Sequence, residues 1–227
     1  MTRKLKLLFL HGYRQNPTSF REKSGGFRKL CKKYIKEFKI LEAPCIIQTT
    51  DSGELRTAEE NEKLNERGWW FSRKDGYYKS THESDFCTGL EDSLNLVKNE
   101  LISAKESGEK YDGVIGFSQG ACLLSIICHL REYENQDFPF EFGMFFSGFK
   151  SAGLDHAKYY ENPLKTIPSF HSVGEGDLVV KCERGIALSE LYEDCVLMKH
   201  DGGHFMPSKG AYRKFYHDFL EKYAQDE

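Results

Sequence analysis

Short, mostly apolar runs alternate along this chain with longer stretches in which apolar residues recur every three or four positions. Residues 5–10 form such a run after a basic start, and a run of this kind suits a parallel strand buried on both faces. A helix is expected next, capped by Thr18 or Ser19, with its core over 27–38. Residues 39–47 read as a second extended segment, interrupted by Pro44. Phe86, Leu90, Leu94, Val97 and Leu101 repeat at helical spacing, with Ser84 as the candidate N-cap and Gly108 as the stop. Residues 111–117 are the next strand, and 121–131 are a helix apolar on most faces and therefore buried. Strands over 140–146, 167–173 and 195–199 follow, with a helix over 182–193. A closing helix over 208–224 carries Tyr212, Phe215, Phe219 and Tyr223 on one side. This alternation predicts the α/β class: a mainly parallel, doubly wound sheet of about six strands with helices on both faces. No repeat, low-complexity tract or composition break divides the chain, so a single domain over 1–227 is expected.

The apolar run at 113–117 leads into Gly116-Phe117-Ser118-Gln119-Gly120, which reads G-x-S-x-G between a strand and a helix. In that context the pattern places a serine at the tip of a sharp turn, with glycines where a Cβ would strike a neighbour. In an open parallel sheet, sites form outside the carboxyl ends of the strands. Those ends hold His11-Gly12-Tyr13, Ser118, Ser147-Gly148, Asp177 and His204. A nucleophile, an acid and a base therefore come in the order Ser, Asp, His of the α/β-hydrolase arrangement. Ser118 is the candidate nucleophile and needs a base to take its proton. His204, after the Gly202-Gly203 turn, is the candidate base, ahead of His200 on the last strand, His171 inside a strand and His217 on the final helix. His82, His129 and His156 lack a strand-end context. Asp177 would orient the imidazole, with Asp201 as its rival. The two backbone N–H groups of an oxyanion hole are assigned to Gln119, directly after the nucleophile, and Tyr13, after the first strand.

Residues 51–66 are the most polar part of the chain, and they give way abruptly to Gly68-Trp69-Trp70-Phe71 and then Tyr77-Tyr78. An insertion of this kind, at about 51–82, is more often functional or mobile than a plain connector. Trp69, Trp70, Phe71, Tyr77 and Tyr78 are accordingly candidates to line or cover an acyl pocket, the other reading being that they pack on the edge of the core.

With 39% hydrophobic and 30% charged residues over 227 positions, the composition is that of a soluble globular chain. A net charge of −3, with no clustered basic excess, argues against nucleic acid as a partner. No segment approaches the ~20 apolar residues of a membrane span, and the apolar start is too short for a signal peptide. A cytoplasmic or nuclear protein is expected. The seven cysteines include no C-x-x-C and read as reduced residues, several of them in the core. H-E-x-x-H, the phosphate-cradling G-x-x-x-x-G-K-[ST] and the dinucleotide G-x-G-x-x-G are absent, so no metal or cofactor is called for.

Residues 9–16 (Phe-Leu-His-Gly-Tyr-Arg-Gln-Asn), 113–121 (Gly-Val-Ile-Gly-Phe-Ser-Gln-Gly-Ala), 174–177 (Gly-Glu-Gly-Asp) and 202–207 (Gly-Gly-His-Phe-Met-Pro) together resemble the FSH family of small serine hydrolases. The likeness covers nearly the whole chain, including the Gly-Trp-Trp-Phe insertion. It implies an α/β-hydrolase fold, carboxylesterase activity with a preference in some members for longer acyl chains, and a triad on Ser118, Asp177 and His204. The expectation is thus a serine esterase cleaving acyl esters, with a small-molecule ester as its partner. A thioesterase using the same triad is the first alternative. A hydrolase-like fold serving as a non-catalytic binding module is the second.

Overall fold

The computed structural model of the chain describes residues 3–225. In chain order the elements are β1 (Leu5–Leu10), α1 (Pro17–Lys23), α2 (Gly25–Leu30), β2 (Ile35–Leu41), β3 (Cys45–Ile46), α3 (Ala58–Leu64), β4 (Arg67–Gly68), α4 (Leu90–Glu106), β5 (Gly113–Phe117), α5 (Gln119–Tyr133), β6 (Phe142–Phe146), β7 (Ser169–Gly174), α6 (Cys182–Ser189), β8 (Cys195–His200) and α7 (Arg213–Glu221). The six longer strands make one sheet in the order β2-β1-β5-β6-β7-β8, and every neighbouring pair is parallel. β3 and β4 form a small antiparallel pair apart from it.

Successive side chains of a strand point to opposite faces, and the core divides accordingly. Leu8 and Leu10 of β1, Val114 of β5 and Phe145 of β6 join one apolar cluster with α4, α5 and Leu188 of α6. Leu7 and Phe9 of β1, Ile115 and Phe117 of β5, and Phe142, Met144 and Phe146 of β6 join the other, with Phe20 of α1, Phe27 of α2 and Tyr216, Phe219 and Leu220 of α7. The sheet is covered on both faces, as the apolar runs predict. Helix α5 is buried at every position from Gln119 to Leu130, which matches its lack of a polar face.

Several boundaries differ from the sequence expectation, each for a physical reason. The helix expected over 27–38 stops at Leu30, and Ile35–Leu41 is instead the edge strand β2. Ile35 and Phe38 are spaced as in a helix, but pairing with β1 satisfies the backbone and overrides that local signal. The cap of α1 is Asn16, whose side chain accepts from the Ser19 N–H, while Ser19 answers as the reciprocal member of a capping box. Helix α4 starts at Leu90, not near Ser84. The Ser84 hydroxyl accepts from the Phe86 N–H, and its carbonyl accepts from Leu154, so that segment is held outside the helix. Gly89, at φ 92, makes the turn into α4, and a Cβ there would lie 2.3 Å from Cys45 Sγ. In α7 the packed residues are Tyr216, Phe219 and Leu220, and Phe215 is exposed.

His171 of β7 is buried and stacked on Phe145, with ring centroids 4.5 Å apart. Burial pushes its pKa down from 6.5 to about 3. His11, at the end of β1, is pushed down to about 4, again chiefly by burial. Both rings are neutral in the folded chain, whereas the unfolded chain takes up a proton at each as the pH falls below 6.5. Their contribution to stability is therefore complete above that pH and is lost on acidification. Each group gives a slope of about 1.4 kcal/mol per pH unit between its two pKa values. Urea unfolding followed from pH 7 to pH 4.5 should show stability falling on acidification. The fall should be shallower in His171→Phe, which keeps the stack and removes the proton site.

Candidate active site

β5 ends at Phe117 and α5 begins at Gln119, leaving Ser118 alone at the turn with φ 53 and ψ −117. A non-glycine residue held there stores on the order of 1–3 kcal/mol of strain. The surroundings hold it in place. Its N–H donates to the Phe146 carbonyl at 2.9 Å, and its carbonyl accepts from the N–H groups of Ala121 and Cys122 at 3.0 Å. The two glycines of the pattern are required by space. A Cβ at Gly116 would lie 2.5 Å from Ala121 Cα, and one at Gly120 would lie 2.3 Å from the Leu10 carbonyl oxygen.

His204 and Asp177 reach Ser118 from the loops after β8 and β7. Those loops are joined by a hydrogen bond from the Gly176 N–H to the Gly202 carbonyl at 3.0 Å. His204 Nδ1 donates to Asp177 Oδ2 at 2.7 Å, and its Nε2 faces Ser118 Oγ at 3.0 Å. With Nδ1 protonated against a carboxylate, Nε2 is left as the acceptor of the serine proton. The imidazole also lies against the Phe117 ring, with centroids 4.9 Å apart. Asp177 is buried. Burial would raise its pKa, but the hydrogen bond from His204 and the N–H groups of Val180 and Val179 outweigh burial and hold the carboxyl below its usual value. Those N–H groups reach Oδ1 at 2.8 and 2.9 Å, so both carboxylate oxygens have partners. Asp201, the rival acid, is bound instead to Lys209 and Tyr212 at the surface. His200 Nδ1 accepts from the Gly202 N–H at 3.2 Å and takes no part in the hydrogen-bonded chain to the serine.

The loop after β1 supplies the facing wall. Gln15 Oε1 accepts from the Gly12 N–H at 2.8 Å. Among the described residues, neither the Tyr13 N–H nor the Gln119 N–H has a protein acceptor. His11 is structural: Nδ1 donates to the Gly12 carbonyl at 2.8 Å, and Nε2 accepts from the Ala43 N–H at 3.1 Å. The sequence reading missed what the Gln119 side chain does. Its Oε1 accepts from the Trp69 N–H at 2.9 Å and its Nε2 donates to the Trp70 carbonyl at 2.8 Å. A glutamine buried at the first turn of an apolar helix is the available signal, because such a side chain must find partners.

The expected aromatic wall is placed elsewhere. A cleft of about 390 Å³ opens beside Ser118 and His204, walled by Phe20, Phe117, Phe205 and Met206 with Lys23 at its rim. None of Trp69, Trp70, Phe71, Tyr77 and Tyr78 lines it. Phe20, Phe117 and Met206 belong to the apolar cluster on the α1/α7 face of the sheet, whereas Trp69, Trp70 and Tyr78 belong to the cluster on the opposite face. Trp69 and Trp70 are fully buried, and Trp69 Nε1 donates to the His11 carbonyl at 2.7 Å. Tyr78 donates its N–H to the Tyr13 hydroxyl at 3.2 Å, and Tyr77 packs edge-on against the Tyr13 ring. Phe71 borders a separate surface groove with Arg73 and Phe86. The aromatic run therefore packs behind the Tyr13 loop.

All seven cysteines are unpaired. Burial pushes the Cys122 and Cys128 thiols up to about 12, so neither is poised as a thiolate. Among the described residues no three His, Cys, Asp or Glu side chains group closely enough to hold a metal ion. No helix there is long and apolar enough to cross a membrane.

The family model described as serine hydrolase (FSH1) matches residues 1–216. The esterase OVCA2 of Danio rerio is 37% identical over 226 residues, which cover 96% of this chain and 97% of that protein. The esterase OVCA2 of Xenopus tropicalis is 37% identical over 222 residues, or 97% of this chain and 94% of that one. Among solved structures, Zea mays acyl-protein thioesterase 2 superposes with a TM-score of 0.62 at 16% identity, over 99% of this chain and 96% of the other. That is a likeness of fold: a parallel sheet of the α/β-hydrolase type.

The close approach of Gly120 to β1 has a measurable consequence. The Gly120→Ala chain should lose about 3 kcal/mol or more, because the atoms in the way are backbone. A Cβ at Gly210 meets nothing within 4 Å. Gly210→Ala should therefore stay within about 0.5 kcal/mol of the parent. Chemical unfolding midpoints of the two variants check this.

Proposed function

This chain belongs to the FSH1 family of serine hydrolases, and from that premise we propose that it is a carboxylesterase that works through an acyl-enzyme on Ser118. The hydrogen-bonded chain from Asp177 through His204 to Ser118, at 2.7 and 3.0 Å, carries the proposal. A serine hydroxyl is barely acidic, so its attack on an ester carbonyl requires simultaneous proton removal. His204 Nε2 receives that proton and becomes an imidazolium. Asp177, kept ionised by its partners, stabilises the positive charge and stays deprotonated. Negative charge collects meanwhile on the former carbonyl oxygen. The N–H groups of Tyr13 and Gln119 are the donors assigned to it. His204 then returns its proton to the leaving alcohol, and the acyl group remains on Ser118. Water attacks this intermediate by the same route in reverse and releases the acid.

The walls of the cleft favour an uncharged acyl ester. Phe20, Phe117, Phe205 and Met206 offer apolar surface next to the reacting serine, which supports an acyl chain running along the α1 face. The name of the maize structure, an acyl-protein thioesterase, points to the neighbouring chemistry of thioesters, for which the same three residues suffice. Matched oxygen esters and thioesters of one acyl chain, compared by kcat/KM, separate the two.

Labelling with a fluorophosphonate probe tests the nucleophile. The parent chain should label and Ser118→Ala should not. The same variant should lose kcat by on the order of 10⁶ if the three residues act as a unit. Labelling that persists in Ser118→Ala, or a loss below tenfold, would sink the assignment.

The position of the acyl chain is tested separately. Phe205 is half exposed at the cleft and can be truncated with little cost to the core. Phe205→Ala should reduce kcat/KM for an octanoyl ester about fivefold to tenfold more than for an acetyl ester. Trp70→Phe should leave that ratio unchanged, since the ring lies on the other side of the sheet. A ratio that follows Trp70 and ignores Phe205 would return the acyl site to the insertion.

A further inference from the structure

The proposed chemistry needs the Tyr13 N–H to stay in place while charge develops, yet Tyr13 lies on a loop. The residue after it, Arg14, sits at φ 59, a conformation an arginine adopts only when it is held there. Its guanidinium accounts for the holding. Nη1 donates to the Thr49 carbonyl and to Glu66 Oε2, both at 2.7 Å, and Nη2 donates to the Thr50 carbonyl at 2.8 Å. Nε lies 2.8 Å from Asp51 Oδ1. Every one of these partners belongs to residues 49–66, the polar part of the insertion and the two residues before it. The backbone continues the attachment. The Arg14 N–H donates to the Arg67 carbonyl at 2.9 Å, and the Arg67 N–H donates to the Gln15 carbonyl at 3.0 Å. Asn16 Nδ2 donates to the carbonyls of Leu64 and Asn65. Three successive residues after Tyr13 are thus bonded to one segment. The guanidinium also lies 5.4 Å from the Tyr13 ring and 5.9 Å from that of Tyr77. Arg14 itself does not line the cleft.

We propose that Arg14 is a positioning residue for the oxyanion hole, and that its bonds to residues 49–66 make this segment a splint holding the Tyr13 N–H against the developing oxyanion. The proposal rests on the Ser118 mechanism above. It gives the polar half of the insertion a role that requires no contact with substrate. It also explains the residue type. A planar fork of five donors meets two main-chain carbonyls and two carboxylates at once, whereas a lysine ammonium on the same stem offers three donors from a single point. Of the two acidic partners, Glu66 matters more, because Asp51 is largely exposed to water while Glu66 is mostly covered and is shared with Arg56.

The test uses Arg14→Lys, Arg14→Ala and Glu66→Gln in the full chain. Each variant is assayed with a chromogenic ester and with two inhibitors. A trifluoromethyl ketone adds to Ser118 and places its oxyanion in the hole, while the matched methyl ketone fills the cleft without that charge. For both Arg14 variants kcat should fall about 10- to 100-fold, with KM within about twofold. Affinity for the trifluoromethyl ketone should fall by the same factor as kcat, and affinity for the methyl ketone should not change. Added guanidinium should restore part of the activity of Arg14→Ala, and lysine should not substitute. Glu66→Gln, which keeps the two carbonyl bonds, should show a smaller loss of the same pattern, and it serves where Arg14→Ala folds too poorly to assay. Unchanged kcat, a rise in KM alone, or equal weakening of both ketones in folded variants overturns the splint. A parent chain whose activity survives Ser118→Ala overturns the splint and the mechanism beneath it. Flat kinetics in the Arg14 variants of a Ser118-dependent enzyme overturns the splint alone.

Discussion

The distance at which α5 meets the sheet sets the rest of the site. Gly120 brings the first turn of α5 against the Leu10 and His11 carbonyls, and Gly116 lets β5 pass beneath Ala121, with no room for a Cβ at either place. That approach lifts Ser118 out of the strand at φ 53. It also sets Gln119 where its amide can hold the backbone of Trp69 and Trp70. Trp69 in turn donates to the His11 carbonyl, and the His11 ring fixes Gly12 and Ala43. A sequence of buried hydrogen bonds therefore runs from the serine turn to the loop that carries Tyr13. Buried polar groups of this kind are costly when unpaired, so once the helix is placed the partners have little freedom.

The two faces of the sheet divide the work. On the α4/α5 face the tryptophans fill the core and bind the insertion to the molecule. On the α1/α7 face the core stops short at Phe20, Phe117 and Met206, and the cleft opens there beside Ser118. In the proposed mechanism the acid comes from a third region. Asp177 is buried where the loops after β7 and β8 meet and has donors on both oxygens, so its carboxyl stays ionised despite burial. The polar insertion acts at a distance from all of this, through Arg14 and the backbone beside it.

The α/β class, the parallel sheet and the helices on both faces were legible in the sequence, because short, mostly apolar runs without a polar face are best buried between two layers. The residues at strand ends were legible for a related reason. A glycine-flanked serine after an apolar run, an aspartate closing Gly-Glu-Gly and a histidine after Gly-Gly are local patterns, and the chain order of the three carries information of its own. Local pattern failed where long-range pairing decided. Ile35–Leu41 has helical spacing and is an edge strand, since β1 offered it a ladder. Ser84 looks like a helix cap and is held by Phe86 and Leu154.

The aromatic insertion marks the boundary most sharply. By itself the sequence offered Trp69 and Trp70 two places, the wall of an acyl pocket and the edge of the core, since side chains of that size gain from burial in either. It did not determine which side of the sheet would take them. That depended on the reach of Gln119, on an acceptor for the Trp69 indole at His11 and on the apolar cluster that α4 and α5 build, all of which exist only once distant segments have packed. The same holds for the loop after β1. Its glycine and tyrosine can be read as a backbone donor site from their position, but the bonds that hold Arg14 are made to residues some 35 to 50 positions away, between groups whose hydrogen bonds no local pattern specifies.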